Sequence, residues 1–138
     1  MLIWLIDTGP LVAFFDRGDP AHKVVRELLS NFRGRLCTTG AVIYETMHFL
    51  PDVEDGPEKL EAFVSLSSMD IFECTQSVQL KEAVVLMKRY RDIPMDFADA
   101  TLVCLAAELA VTNILTLDRR GFKTYRTSEK KSFNLLLR

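Results

Sequence analysis

With 138 residues, 49% of them apolar and 26% charged, the chain has the length of one domain with a real core and is not an intrinsically disordered segment. A net charge of −2 argues against a generic nucleic-acid binder, and no apolar run approaches the ~20 residues that a membrane span needs. Cys37, Cys74 and Cys104 are odd in number, far apart and set among apolar residues, the pattern of reduced thiols in a cytoplasmic protein rather than of a disulfide framework or a zinc site.

In chain order, the start "MLIWLIDTG" has neither a basic leader nor a small-residue cleavage site and reads as mature structure. "LIWLI" (2–6) is a buried strand, and "PLVAFF" (10–15) a helix. "GDPAHKVVRELLSNF" (18–32) reads as a helix capped by Asp19 with Pro20 at its first position. "RLCTT" (35–39) is a strand, "GAVIYETMHFL" (40–50) a helix, and "PDVEDG" (51–56) a break. "PEKLEAFVSL" (57–66) is a helix opened by Pro57, "MDIFECT" (69–75) a strand, and "SVQLKEAVVLMKRYR" (77–91) an amphipathic helix capped by Ser77. Pro94 disfavours helix at Ile93, so the apolar helix that follows starts at about Asp96. "NILTLD" (113–118) is a strand, and "SFNLLL" (132–137) a short last one. Strands alternating with helices predict a single α/β three-layer domain around a mainly parallel sheet.

Charge is unevenly spread. Residues 118–138 hold seven basic and two acidic residues, a local +5 that leaves −7 on the rest. Lys88, Arg89 and Arg91 form a second basic cluster, and Arg119 and Arg120 head the C-terminal one. Each cluster by itself is accounted for by a helix C-terminus or a solvated tail. Together, around an acidic body, they suit a phosphate-attracting rim.

The acids fall where an α/β sheet binds ligands, beyond the carboxyl ends of its strands. Asp7 follows the first strand and Asp118 the late one; burying either unpaired costs several kcal/mol, roughly, unless a partner or metal compensates. Capping of the next helix accounts fairly for Asp7 and less well for Asp118, which has Arg119 and Arg120 as adjacent partners. Asp96 and Asp99 stand three apart in one helical turn, hence on one face. Capping explains Asp96 readily and Asp99 only partly, because Asp99 lies inside the helix near its buried side. Glu45 sits on a helix with little other polar surface. It forms a Glu-x-x-His pair with His48, but di-iron bundles need two such pairs, and the one other histidine, His22, lies on a charged segment. Four clustered carboxylates (Asp7, Glu45, Asp99, Asp118) repel one another unless cations are present. Oxygen donors with little His or Cys select Mg²⁺ or Mn²⁺. Such a site suits phosphoryl-ester hydrolysis by metal-activated water, and no Ser-His-Asp or Cys-His set offers a covalent route.

Three segments, "LIDTGPLVAFFD", "DFADATLVCLAAELA" and "ILTLDRRGF", together resemble the PIN domain family, the fold of VapC-type toxins of bacterial and archaeal toxin–antitoxin pairs. The resemblance spans essentially the whole chain in the expected order. It implies Asp7, Glu45, Asp99 and Asp118 as metal-binding acids, with Thr8 and Thr116 as supporting hydroxyls. Asp96 is an extra acid, either a cap or an outer ligand through water. It further implies a Mg²⁺- or Mn²⁺-dependent ribonuclease, a homodimer, and an antitoxin protein as partner. Three other readings compete. A haloacid-dehalogenase-like phosphatase needs an Asp where Gly9 stands. A receiver domain needs an acidic pair beside Asp7 and a Lys ending its last strand. A non-enzymatic binding module on the same fold is distinguished by divalent-metal binding and RNA cleavage.

Overall fold

The computed structural model describes residues 1–137; Arg138, counted above among the C-terminal basic residues, lies outside them. Among the described residues the chain runs β1 (Ile3–Ile6), α1 (Thr8–Phe15), α2 (His22–Asn31), β2 (Arg35–Thr39), α3 (Gly40–Phe49), a 3-10 turn (Leu50–Asp52), α4 (Gly56–Ser67), β3 (Asp70–Phe72), α5 (Ser77–Arg89), α6 (Phe97–Leu109), β4 (Asn113–Leu115), α7 (Arg119–Thr124) and β5 (Asn134–Leu135).

The strands form one sheet in the order β3-β2-β1-β4-β5, and every pairing is parallel. Consecutive residues Leu5 and Ile6, Leu36 and Cys37, and Ile114 and Leu115 are all buried. Neighbours on a strand point to opposite faces, so both faces of the sheet are covered, as a parallel sheet requires. The expected three-layer α/β domain is therefore present, with a wholly rather than mainly parallel sheet. No helix among the described residues is long and apolar enough to cross a membrane.

Local chemistry sets several boundaries differently from the sequence reading. Asp19 does not cap α2. Its carboxylate accepts from the Ala21 amide at 2.8 Å and its carbonyl from that of His22 at 2.9 Å. That local turn competes with helix and delays α2 to His22. At α5 the N-cap position is Gln76 rather than Ser77, and its amide donates to Gln79 Oε1 at 3.1 Å. The late strand ends at Leu115, three residues before Asp118. The first turn of α6 does lie where Pro94 and Asp96 place it.

The three thiols are free. Burial pushes Cys74 and Cys104 up to about 11, so neither forms a thiolate readily at neutral pH.

This topology makes one place for a site. The chain leaves β1 towards β2 and β3 on one side and later returns to add β4 and β5 on the other. The reversal between β1 and β4 is the switch point at which such sheets bind ligands, at the carboxyl ends of the strands. Asp7 follows β1 there, and its amide donates to the Leu115 carbonyl at 3.0 Å, prolonging the pairing of the two strands.

Candidate active site

α6 brings the central acid to the switch point. Residues Ala98–Val103, Leu105 and Ala106 are buried, so the helix is apolar on nearly every side and held by the core. Complete burial of Leu102 and Leu105 stabilises by roughly 2 kcal/mol each, against about 1 kcal/mol for an N-cap. Packing therefore fixes the helix, and its first turn can carry charge. There Asp96 Oδ1 accepts from the Asp99 amide at 2.8 Å, and Asp99 Oδ2 accepts from the Asp96 amide at 3.1 Å. This is a reciprocal capping box, so both acids are partly explained as caps. Each keeps a second oxygen outside that exchange. Asp96 is exposed, whereas Asp99 is 8% exposed.

Hydroxyls tie the neighbouring elements to this turn. Thr39, the cap of α3, shares a 2.8 Å hydrogen bond with Thr101 of α6, which sets the helix carrying Glu45 beside the one carrying Asp99. Thr38 Oγ1 donates to the Ile6 carbonyl at 2.7 Å, locking β2 against β1 one residue before Asp7. Asp7 is 7% exposed. Its Oδ1 accepts from the Thr8 amide at 2.8 Å and its Oδ2 from Thr116 Oγ1 at 2.7 Å. Thr116 in turn accepts from the Asp118 amide at 3.0 Å. Asp118 caps α7 by accepting from the Gly121 amide at 3.0 Å. It does not pair with the following arginines: Arg119 donates to the Leu137 carbonyl at 2.8 Å, and the one ion pair among the described residues joins Arg35 to Asp70 across β2 and β3.

Asp7, Thr8, Glu45, Asp96, Asp99 and Asp118 line one open cleft of about 680 Å³. Asp16, Asp19 and Asp52 complete its rim, and no Lys or Arg lines it. Thr116 acts from behind, through Asp7. The electrostatic result is strong. Burial, more than any neighbour, pushes Asp7 up to about 6, against the hydrogen bonds from Thr116 and Thr8. Burial and then repulsion from Asp7 and Asp96 hold Asp99 well above the carboxylate range.

Asp19 was picked out in the sequence only as a cap, and Asp16 and Asp52 not at all, although helical spacing carried the signal for these two. Thr8, Val12 and Asp16 are four apart and share a face of α1; Glu45, Phe49 and Asp52 continue one face of α3 into the 3-10 turn. Tyr125, fully buried beneath the cleft, carried no such signal. The basic residues stand outside. Lys88, Arg89, Arg91 and Arg120 are exposed, the first three just before Pro94 of the cleft wall and the last just after Asp118.

The donor set fits a divalent cation of the oxygen-seeking kind. The Thr8 hydroxyl is buried in the cleft wall with no hydrogen-bond partner, and the carboxylates around it lack a neutralising side chain. Among the described residues no three acidic, His or Cys side chains close into a ready-made cage. A cation bound among these acids would take part of its shell from water.

Comparison with known proteins agrees with this fold. A family model described as PIN domain matches residues 4–127. Ribonuclease VapC26 of Mycobacterium tuberculosis is 28% identical over 124 residues, covering 88% of this chain and 91% of that protein. Among solved structures, VapC20 of Mycobacterium tuberculosis, described as a sarcin-ricin loop cleaving toxin, superposes with a TM-score of 0.73 at 20% identity. The match covers 84% of this chain and 90% of that one. VapBC2 from Rickettsia felis, solved bound to a DNA fragment from their promoter, gives 0.65 at 16% identity over 97% of each chain. At such identities the two structures speak for the fold. With a matching family model over most of its length and a switch-point acid cleft in place, the chain belongs to the PIN domain family.

Proposed function

We propose that this chain is a Mg²⁺- or Mn²⁺-dependent endoribonuclease of the VapC type, the toxin of a toxin–antitoxin pair. The observation that carries the reading is a cleft walled by carboxylates, without a basic residue, at the switch point of a parallel sheet. VapC26, similar along nearly its whole length, is named a ribonuclease.

Asp7, Glu45, Asp99 and Asp118 would hold the cation, with Asp96 as an outer partner through water and Thr8 as a further oxygen. A divalent ion bound there supplies charge neutralisation at the scissile phosphate and a water of lowered pKa. Thr116 keeps Asp7 turned into the cleft, and the Asp96 amide does the same for Asp99. Because Asp7 and Asp99 hold their protons above the usual range, cation binding at neutral pH releases protons. The basic residues Lys88, Arg89, Arg91, Arg119 and Arg120 would steer the phosphate backbone of single-stranded RNA towards the acids. Exposed Val78, Val84 and Val85 of α5 and Leu66 of α4 fit a homodimer face. An antitoxin protein would complete the pair.

Purified protein should cut single-stranded RNA with Mg²⁺ or Mn²⁺ and stop in EDTA, and RNA binding should weaken steeply with salt. Cleavage that persists in EDTA would overturn the metal-dependent reading.

A further inference from the structure

Two buried hydroxyls have no hydrogen-bond partner among the described residues, Thr8 Oγ1 and Tyr125 Oη. Thr8 belongs to the cleft wall. Tyr125 needs its own explanation, because an unpaired buried polar group costs ~1–3 kcal/mol. Its ring packs edge-on against Phe122 and Tyr90, with centroids 5.1 and 5.0 Å away. A phenylalanine would serve that packing without the penalty. The neighbouring Tyr90 shows the alternative, since its hydroxyl accepts from the Arg126 amide at 3.1 Å.

What the Tyr125 hydroxyl faces is Asp118, across Gly121. A β-carbon at Gly121 would stand 2.8 Å from that hydroxyl and overlap Asp118 Oδ2. Only glycine lets the phenol and the carboxylate approach the same point. Asp118 Oδ1 is already taken by the Gly121 amide, and Oδ2 is the oxygen on the tyrosine side.

Resting on the nuclease reading above, we infer that Tyr125 is a positioning residue of the acidic cleft, whose hydroxyl stands beside Asp118 Oδ2 as its donor once a cation occupies the cleft. It holds the Asp118 wall much as Thr116 holds Asp7. Burial, and then the field of Asp99 and Asp118, keeps the phenol protonated, so it serves as a donor and not as a base.

Tyr125→Phe removes the hydroxyl alone. In EDTA its Tm should match or exceed the parent's, since no intramolecular bond is lost. Mn²⁺ affinity, read by direct titration, should fall roughly 10-fold, the usual scale for an outer-shell partner. Single-turnover RNA cleavage should slow by a similar factor while KM holds. Tyr90→Phe is the control and should lower Tm but leave Mn²⁺ binding as it is. A parent that binds Mn²⁺ and cuts RNA beside an indistinguishable Tyr125→Phe would overturn this inference alone. A Tyr125→Phe markedly less stable in EDTA would overturn it as well, by showing a structural bond. A parent that does neither would overturn the nuclease reading and this inference with it.

Discussion

Asp96 caps from solvent, whereas Asp99 makes the return half of the same capping box from a buried position beside Asp7. Their Asn variants should therefore part company in stability before any activity is measured. Asn caps about as well as Asp, so Asp96→Asn should leave Tm nearly unchanged in EDTA. An Asn at 99 can still accept from the Asp96 amide, and it removes a charge that Asp7 and burial both disfavour. The pH dependence follows from the sign of the shifts. A raised folded-state pKa means the native state holds its proton more tightly than the unfolded one. The associated stability is present at low pH and is lost as pH rises through the folded value. The loss begins near the ordinary carboxylate value of 3.8, is complete at about 6 for Asp7, and extends further up for Asp99. Without metal, Asp99→Asn should differ least from the parent at about pH 3.5 and gain on it steadily from there towards pH 8, as thermal melts across that range would show. A gap that stayed at zero at pH 8 would mean that Asp99 is not under this repulsion.

At the scale of elements, the junction of β1 and β4 depends on one hydroxyl. Thr116 donates to Asp7 and accepts from the Asp118 amide, so Thr116→Val strands a carboxylate oxygen and an amide in a buried place. The expected loss is about 2 kcal/mol or more, read as a lower urea midpoint, together with slower RNA cleavage. The same residue explains which boundaries the sequence disclosed. The start of α6 was readable because its signals, Pro94 and Asp96, are local. The end of β4 was not, because Thr116 is turned by Asp7, 109 positions away in the chain. At α2 the residues "GDPA" satisfy a helix-start pattern and an Asx turn equally well, and only the hydrogen bonds of Asp19 decide. Asp7, Glu45, Asp99 and Asp118 were visible as acids at strand ends or on otherwise apolar helices. That they share one cleft depends on strand order, which the sequence pattern leaves open. Asp16 and Asp52 were readable from helical spacing. Tyr125 was not, since an unpartnered hydroxyl exists only in the folded chain.

For the molecule as a whole, the cleft collects acids and no basic residue, and α5 leaves aliphatic side chains exposed on its outer side. Val78 and Val85 are seven apart on that helix and 68% and 56% exposed, hence on one face. If that face joins two copies, sedimentation velocity at micromolar concentration should give a dimer for the parent and a monomer of equal Tm for the Val78→Glu/Val85→Glu variant. A monomeric parent would contradict the homodimer. The central claim, that the switch-point carboxylates form a divalent-metal RNA-cleaving centre, is tested most directly by one rate comparison. Initial cleavage of a single-stranded RNA would be followed at saturating Mg²⁺ for the parent and Asp99→Asn, both shown to be folded. The expected result is a loss of two or more orders of magnitude in the variant, of the size roughly seen when a central catalytic group is removed. An Asp99→Asn protein that cuts as fast as the parent would contradict the claim.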